Sequence, residues 1–317
     1  MSKVSVIICT HNPRVDYLSR VLAGLRAQTL SLTDWELLLV DNGSQVPLSV
    51  RFDLSWHPNA RHIREEELGL TPARLRGIRE SKSEILIFVD DDTVLATDYF
   101  QQALTIQEQW PFVGVWGGSC VPEYETPLPD WVGDQVWRLT VFEVTDDVWG
   151  NVRDGFETKP VGAGMCVRNI VARQYAGWCR RRAAAKIMDR TGAALGGYGD
   201  QDLSQCAIDL GLGTGRSSKL MLTHLIPASR LTQDYFVRHA EGDASSLMLF
   251  RASRGLPIKE PRPISWLQRM RWRLHRVFQR VPREQYEIQM AHQRGLEKGW
   301  QLASQLFPAA VSAKSKA

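Results

Sequence analysis

The chain has 317 residues, of which 44% are hydrophobic and 23% are charged, and its formal net charge is +4. This composition is that of a globular protein and excludes collagen-like, low-complexity and wholly disordered chains. The apolar runs are the length of single strands, so the sequence predicts no membrane span. The five cysteines are widely spaced and form no C-x-x-C pair, which favours reduced thiols and a cytoplasmic location.

Charge is distributed unevenly along the chain. Residues 251–317 contain 14 Lys and Arg against 4 Asp and Glu, whereas residues 1–250 contain 25 against 31. Within the basic region, residues 267–281 have the spacing of an amphipathic helix with an arginine-rich face. Such a helix is either a solvated surface or a contact with an anionic surface. We expect peripheral contact with an anionic membrane, at the inner face of the cell membrane, and no nucleic acid.

Strands and helices are predicted to alternate in the first 90 residues. Apolar runs and helical spacing indicate strands at Val4–Cys9, Glu36–Asp41, His62–Arg64 and Glu84–Asp90, and helices at residues 16–28 and 72–82. This alternation is typical of βαβ units, which form a parallel sheet with helices on its faces. The sequence therefore predicts an α/β fold.

The remainder of the chain has a less regular pattern. Strands are predicted at Val113–Trp116, Val161–Val167 and residues 219–226, and a helix at residues 200–210. Residues 119–156 are rich in Pro, Trp, Asp and Gly and are expected to form a long functional loop. Residues 255–265 contain three prolines and are expected to form a linker before the basic helix.

Polar residues follow three of the predicted strands. They are Thr10-His11-Asn12, Asp41-Asn42 and Asp90-Asp91-Asp92. Ligands of parallel sheets bind beyond the carboxyl ends of the strands. Three crowded carboxylates repel one another unless a cation is present, which favours a Mg²⁺ or Mn²⁺ site over a solvated acidic turn or a helix cap. For Asp41 and Asn42, the alternative to a ligand contact is an Asx turn.

Four segments in this order and spacing, VSVIICTHN, LLLVDNGS, GLTPARLRGI and ILIFVDDD, resemble the family 2 glycosyltransferases. The resemblance covers roughly residues 3–245 and implies a GT-A fold, with a Rossmann-like, mainly parallel sheet flanked by helices, here followed by a C-terminal helical extension. It also implies inverting transfer of a sugar from a nucleotide-diphosphate sugar to a hydroxyl acceptor, as in cell-surface glycan or polysaccharide synthesis. An inactive nucleotide-sugar-binding or scaffold protein is the alternative. An NAD-dependent oxidoreductase is disfavoured because no G-x-G-x-x-G follows the first strand.

The resemblance also implies roles for individual residues of the first half. The nucleotide site would be formed by Thr10, His11, Asn12, Asp41, Asn42, Leu70, Arg74, Asp90 and Asp91. Asp41 would accept a hydrogen bond from a pyrimidine N–H, so a UDP-linked donor is expected. Asp92 and His224 would hold Mn²⁺ or Mg²⁺ on the diphosphate, which Arg230 would also contact.

Two later motifs complete the resemblance. In Val161–Arg168, Gly162 and Gly164 would let the sugar and acceptor approach closely, with tight strand packing as the alternative. In Tyr198–Leu203, Asp200 would be the catalytic base and Asp202 its neighbour, while Gly199 stands where the family has an acid. Trp116 would stack on a sugar ring or pack in the core.

The predicted domains follow from these motifs. Residues 1–250 would form the glycosyltransferase domain, with a nucleotide-binding half at 1–112 and an acceptor-binding half at 113–250. Residues 251–317 would form the proline-containing linker and the basic helical tail. The expected partners are the sugar donor and a glycan or lipid-linked acceptor.

Overall fold

The computed structural model describes residues 2–181, 197–262 and 282–308, together with residues 265, 267, 270 and 310. Contacts between residues divide the chain into two compact units. The first unit is built from the described parts of Met1–Glu123, Thr140–Ala185 and Gly199–Leu225, and the second from those of Tyr124–Leu139, Lys186–Tyr198 and Ile226–Ala317. The predicted boundary at residue 250 falls inside a helix of the second unit, and the functional division of the chain stays a prediction.

A nine-stranded sheet forms the centre of the first unit. Its strands are β1 (Val4–Thr10), β2 (Trp35–Asn42), β3 (Ala60–Glu65), β4 (Ile85–Val89), β5 (Thr93–Leu95), β6 (Val113–Tyr124), β7 (Val148–Gly150), β8 (Met165–Arg168) and β9 (Gly213–Ile226). The strand order is β3-β2-β1-β4-β8-β6-β9-β5, and β7 pairs with β9. The strands β3, β2, β1 and β4 are parallel, as predicted. The pairs β4–β8, β6–β8, β5–β9 and β7–β9 are antiparallel, so the sheet is more mixed than the expected mainly parallel one.

The described helices are α1 (Val15–Arg26), α2 (Leu48–Arg51), α3 (Leu70–Glu80), α4 (Tyr99–Gln109), α5 (Asn169–Arg181), α6 (Gly199–Asp209), α7 (Gln233–Ser253) and α8 (Arg283–Leu306). Helices cover both faces of the sheet because alternate side chains of each central strand face opposite sides. In β1, Val6 and Ile8 join a core cluster with α1 and α4, whereas Ile7 joins the cluster of α3, α5 and α6. The α/β prediction is confirmed.

The strand order places one point of the sheet where a ligand site is expected. The chain runs from β1 outward through β2 to β3 and then crosses to β4 on the other side of β1. Connections therefore leave β1 and β4 in opposite directions, which opens a crevice at their carboxyl ends. Thr10 and Asp90–Asp92 stand at these two ends.

The region predicted to be one long loop, residues 119–156, is partly regular, so that prediction is wrong. It contains the end of β6, a 3-10 segment at Asp130–Leu139 and β7. Just before it in β6, a Cβ at Gly118 would lie 1.9 Å from the backbone oxygen of Leu220 on β9, so this glycine allows close packing of the two strands. Helices α4 and α5 were not predicted.

In the second unit, α7 and α8 pack along each other. Gly295 and Gly299 of α8 make this approach close, because a Cβ there would lie 2.2 Å and 2.6 Å from the backbone oxygens of Glu241 and Ser245. A helix near the C-terminus is thus confirmed. The predicted basic helix at residues 267–281 lies almost entirely outside the described residues. None of the described helices is both long and apolar enough to cross a membrane.

Candidate active site

The ends of β1 and β4 are joined by a hydrogen bond between side chains. The Thr10 hydroxyl donates to Oδ2 of Asp91. Thr10 itself is buried, at 5% exposure, while Asp91 is half-buried. A hydrogen bond to a charged acceptor is among the stronger ones in proteins, so it orients the Asp91 carboxylate at the crevice.

The Asp41 carboxylate at the end of β2 is surrounded by donors of the protein. It is 4% exposed and accepts hydrogen bonds from the backbone nitrogens of Ser44 at 2.9 Å and Leu48 at 3.1 Å, and from Arg64 Nη1 at 2.8 Å. Burial acts to raise the pKa of Asp41, but these hydrogen bonds outweigh it and the pKa is lowered. Asp41 thus forms the local turn that the sequence left open, and its contact with a pyrimidine stays a prediction.

Asn42 holds the loop that precedes α3. Its Oδ1 accepts from the backbone nitrogen of Gly69 at 2.8 Å, and its Nδ2 donates to the carbonyl of Glu67 at 2.7 Å. Its own carbonyl lies 2.7 Å from Nδ1 of His11. Asn42 therefore fixes the start of α3, where Leu70 is the first residue and is half-buried.

The exposed residue Asn12 joins the loops after β1 and β2. It adopts a left-handed backbone with φ of 48°, which asparagine tolerates better than most residues. Its backbone nitrogen donates to Oγ of Ser44 and its Oδ1 accepts from the backbone nitrogen of Gln45, both at 2.9 Å. The predicted nucleotide residues of these two loops are thus brought together.

A buried carboxylate and a buried imidazole meet beside β4. Oδ2 of Asp92 lies 3.6 Å from Nε2 of His224, and the two residues are 7% and 5% exposed. Pairing between β5 and β9 sets this approach, because Thr93 is the register partner of His224. Among the described residues, no group of three or more His, Cys, Asp or Glu side chains could hold a metal ion. The described residues thus bring one carboxylate and one imidazole together here.

The cation Arg74 lies among the acids of the site. Its side chain, on α3, is almost fully buried at 6% exposure. Burial acts to lower the pKa of Arg74, but nearby negative groups, among them Asp90 and Asp200, outweigh it and the pKa is raised. Paired acids are the usual compensation for a buried cation. Asp90 and Asp200 thus act on the charge of Arg74, and its predicted contact with a nucleotide stays a prediction.

Asp200 and Asp202 lie in the first turn of α6, where the helix dipole stabilises carboxylates. Asp200 is half-buried, and its Oδ2 accepts from the backbone nitrogen of Gly162 at 3.2 Å. Asp202 is buried at 5% exposure. Of the two, Asp200 is therefore the more accessible to a substrate.

Two predicted sugar contacts are wrong. Trp116 is 0% exposed and packs in the core, with the Arg168 guanidinium 5.7 Å from its ring centre, so it cannot stack on a sugar. Gly164 is buried with φ of 69°, and a Cβ there would lie 2.6 Å from the Tyr99 hydroxyl. Gly164 therefore allows tight packing of the strand, which was the alternative to a sugar contact. Arg230 belongs to the second unit, and its contact with a diphosphate stays a prediction.

The contact of Arg64 with Asp41 was not predicted from the sequence. This arginine is the register partner of Asp41 in the β2–β3 pairing, and its guanidinium binds the Asp41 carboxylate. The signal was present, since both strands were predicted and each contributed one of the two charges. The sequence did not give the register between β2 and β3, which is needed to place Arg64 opposite Asp41.

Comparison with known proteins shows what the first half of the chain is similar to. The family model described as "Glycosyl transferase family 2" matches residues 5–159. Glycosyltransferase AglE of Haloferax volcanii is 34% identical over 92 residues, which are 28% of this chain and 30% of AglE. The chain thus aligns with less than a third of that relative's length.

A solved structure extends the match to nearly the whole chain. S. aureus TarS, crystallised in complex with UDP-GlcNAc, matches with a TM-score of 0.51 and 12% identity, covering 96% of this chain and 92% of that one. At this identity the similarity concerns the fold. Together with the family model, it shows a fold shared with TarS and a similarity of residues 5–159 to the family 2 glycosyltransferases.

Proposed function

We propose that the protein transfers a sugar from a UDP-linked donor to a hydroxyl acceptor, with inversion and with the help of Mn²⁺ or Mg²⁺. One observation carries this proposal. Three separate segments of the first unit meet near the end of β4. Asp90–Asp92 follow β4, the Cζ of Arg74 lies 5.6 Å from the ring centre of Phe88 in β4, and both Arg74 and Asp200 lie against Gly162. A transferase of this kind needs a base for the acceptor and carboxylates that hold a divalent ion for the diphosphate.

Asp200 is the proposed base. Its carboxylate is held at two points, by the backbone nitrogens of Gly162 at 3.2 Å and Gln201 at 2.7 Å. It removes the proton of the acceptor hydroxyl as that oxygen attacks the anomeric carbon from the face opposite the nucleotide. The new carbon–oxygen bond forms while the bond to the diphosphate breaks, and UDP leaves with the electron pair.

Asp92 and His224 are the proposed metal ligands. A carboxylate oxygen and an imidazole nitrogen bind Mg²⁺- or Mn²⁺-type ions at about 2.1 Å, so donors 3.6 Å apart can both reach one ion. Two protein ligands leave the remaining positions to water and phosphate oxygens. A bound divalent ion would neutralise charge on the leaving diphosphate.

The choice of UDP and of a hydroxyl acceptor has a different basis. It rests on the family resemblance of Asp41 and on TarS, which shares the fold and was crystallised with UDP-GlcNAc. A lipid-linked or polymeric glycan is the proposed acceptor class. The basic region at residues 251–317, which carries 14 Lys and Arg, would bring the enzyme to an anionic membrane where such acceptors are found.

Calorimetric titration of UDP and GDP, with and without Mn²⁺, tests the donor and metal proposals. We expect UDP to bind more tightly than GDP in Mn²⁺, and EDTA to weaken binding at least about tenfold. Asp92→Asn should have the same effect as EDTA because it removes one ligand. The control is Asp147→Asn, whose carboxylate instead accepts from Ser217 and Ser218 on another part of β9.

Each other outcome contradicts one part of the proposal. Tighter binding of GDP would overturn the UDP donor, and metal-independent binding would overturn the metal role. Absence of any nucleotide binding by well-folded protein would overturn the donor class.

A further inference from the structure

The position of Arg74 raises a question that nucleotide binding does not answer. Its guanidinium is almost fully buried, with Cζ 5.6 Å from the centre of the Phe88 ring. It is enclosed by the protein, and Asp90 and Asp200 are among the negative groups that raise its pKa.

Two glycines provide the space that the guanidinium occupies. A Cβ at Gly162 would lie 2.7 Å from Nη2 of Arg74, and a Cβ at Gly199 would lie 3.2 Å from Nη1. The Tyr175 hydroxyl closes the second position further, at 3.4 Å from that Cβ. Neither glycine has a backbone conformation that requires glycine, since neither φ lies in the left-handed region. Their lack of a side chain therefore serves space.

The same two glycines flank the proposed base. Gly162 donates its backbone N–H to Oδ2 of Asp200 at 3.2 Å, and Gly199 immediately precedes Asp200 in the chain. A Cβ at Gly162 would also contact the Asp200 Cβ, at 3.7 Å. The guanidinium thus packs at two glycines, of which one binds Asp200 and the other precedes it, and we call these four residues the Arg74 cluster.

We propose that Arg74 is a positioning residue, which packs against Gly162 and Gly199 and through them holds Asp200 in the orientation needed to accept the acceptor's proton. Gly162 and Gly199 are then glycines because the guanidinium fills the space of their side chains. This inference rests on the proposed role of Asp200 as the base. It concerns turnover and separates Arg74 from the nucleotide contacts. A displacement of about 1 Å in a reacting group can cost about 100-fold in rate.

The first test compares Arg74→Gln and Arg74→Lys with wild type. Calorimetry gives the affinity for UDP with Mn²⁺, and release of UDP from a UDP-sugar gives turnover. We expect Arg74→Gln to lower turnover about 10- to 100-fold while the UDP affinity stays within about threefold. Arg74→Lys keeps the charge and should recover part of the turnover. A merely structural role would give no such recovery at equal thermal stability.

The second test is a double-mutant cycle between Gly199→Ala and Arg74→Lys. Alanine at position 199 crowds Nη1, which lysine lacks, so it should lower turnover severalfold in wild type and much less in the Arg74→Lys background. The control is Gly177→Ala on α5. A Cβ there would lie 3.3 Å from Nη1 of Arg181, an exposed arginine that can move, so turnover should stay unchanged.

The outcomes separate this inference from the proposed function. Additive effects in the cycle, or a loss of UDP affinity at unchanged turnover in Arg74→Gln, would overturn the positioning role and make Arg74 a nucleotide contact. Absence of UDP binding by wild type would overturn the proposed function instead. Circular dichroism and thermal melting confirm that each variant is folded.

Discussion

The ends of β2 and β4 carry the same kind of residue but surround it with different partners. At the end of β2, Asp41 is bound by Ser44 and Leu48, which follow within seven residues, and by Arg64 on the adjacent strand. At the end of β4, the acids meet residues far along the chain, as Asp92 meets His224. The first carboxylate builds a turn and the second belongs to the candidate active site. An acid after an apolar strand is therefore a weak guide to function until its partners are known.

The largest expected effect is a loss of turnover when the proposed base near the end of β4 is removed. Asp200→Asn removes the base and should lower UDP release about 10²- to 10⁴-fold. Asp202→Asn is the matched control, because it changes an acid in the same helical turn that is buried at 5% exposure. UDP release from a UDP-sugar, measured for both variants at equal folded fraction, checks this. Equal losses in the two variants would contradict the assignment of the base to Asp200.

A smaller effect, on stability, is expected at the β2 side. Asp41→Asn replaces one acceptor oxygen by an amide group that faces donors, which should lower the free energy of unfolding by about 1–3 kcal/mol. Arg64→Gln should cost less, because its side chain is 38% exposed. Urea denaturation measures both. If Asp41→Asn kept full stability and lost UDP binding, the turn would be secondary and Asp41 would be a nucleotide contact.

A gradual effect, spread over several pH units, is expected beside the start of β2, where burial lowers the pKa of a histidine. His57 is 3% exposed, its ring centre lies 4.0 Å from that of Trp35, and burial lowers its pKa to about 4. The unfolded chain takes up this proton near pH 6.5, before the folded one does. Stability is therefore complete above about pH 6.5 and falls towards pH 4, by at most about 1.4 kcal/mol per pH unit.

Urea denaturation between pH 7 and pH 4.5 checks this expectation. His57→Gln should flatten the dependence, whereas His11→Gln, at an exposed histidine, should retain it. Identical slopes in wild type and His57→Gln would show that other groups control the acid limb.

The parallel half of the fold could be predicted because three of its four strands are buried on both faces. In β1, β2 and β4 this burial gives continuous apolar runs that need no knowledge of neighbouring strands. The later half could not be predicted as well, since its strands are antiparallel and contain glycines. Glycine is a residue typical of loops, and only the close approach of Gly118 to Leu220 explains why it lies in a strand.

The sequence predicted where the candidate site residues lie better than it predicted which residues they contact. The motifs pointed to Asp92, His224 and Asp200, which lie at strand ends or at a helix start of the first unit. They did not reveal that Arg74 packs at Gly199, beside Asp200, because this contact joins residues 125 positions apart. The predicted stacking of Trp116 on a sugar failed for a similar reason, because the local sequence does not show whether a tryptophan is buried or exposed.

The close packing of α7 and α8 changes how the C-terminal region can be studied. Removing residues 262–317 would take away α8 and leave in water a face of α7 that includes Met248 and Leu249. Such a shortened protein would adhere to lipid vesicles through its own uncovered surface, whatever the basic region does. Exchanging the arginines between residues 269 and 280 for glutamine keeps α8 in place, so that vesicle binding then reports on charge alone.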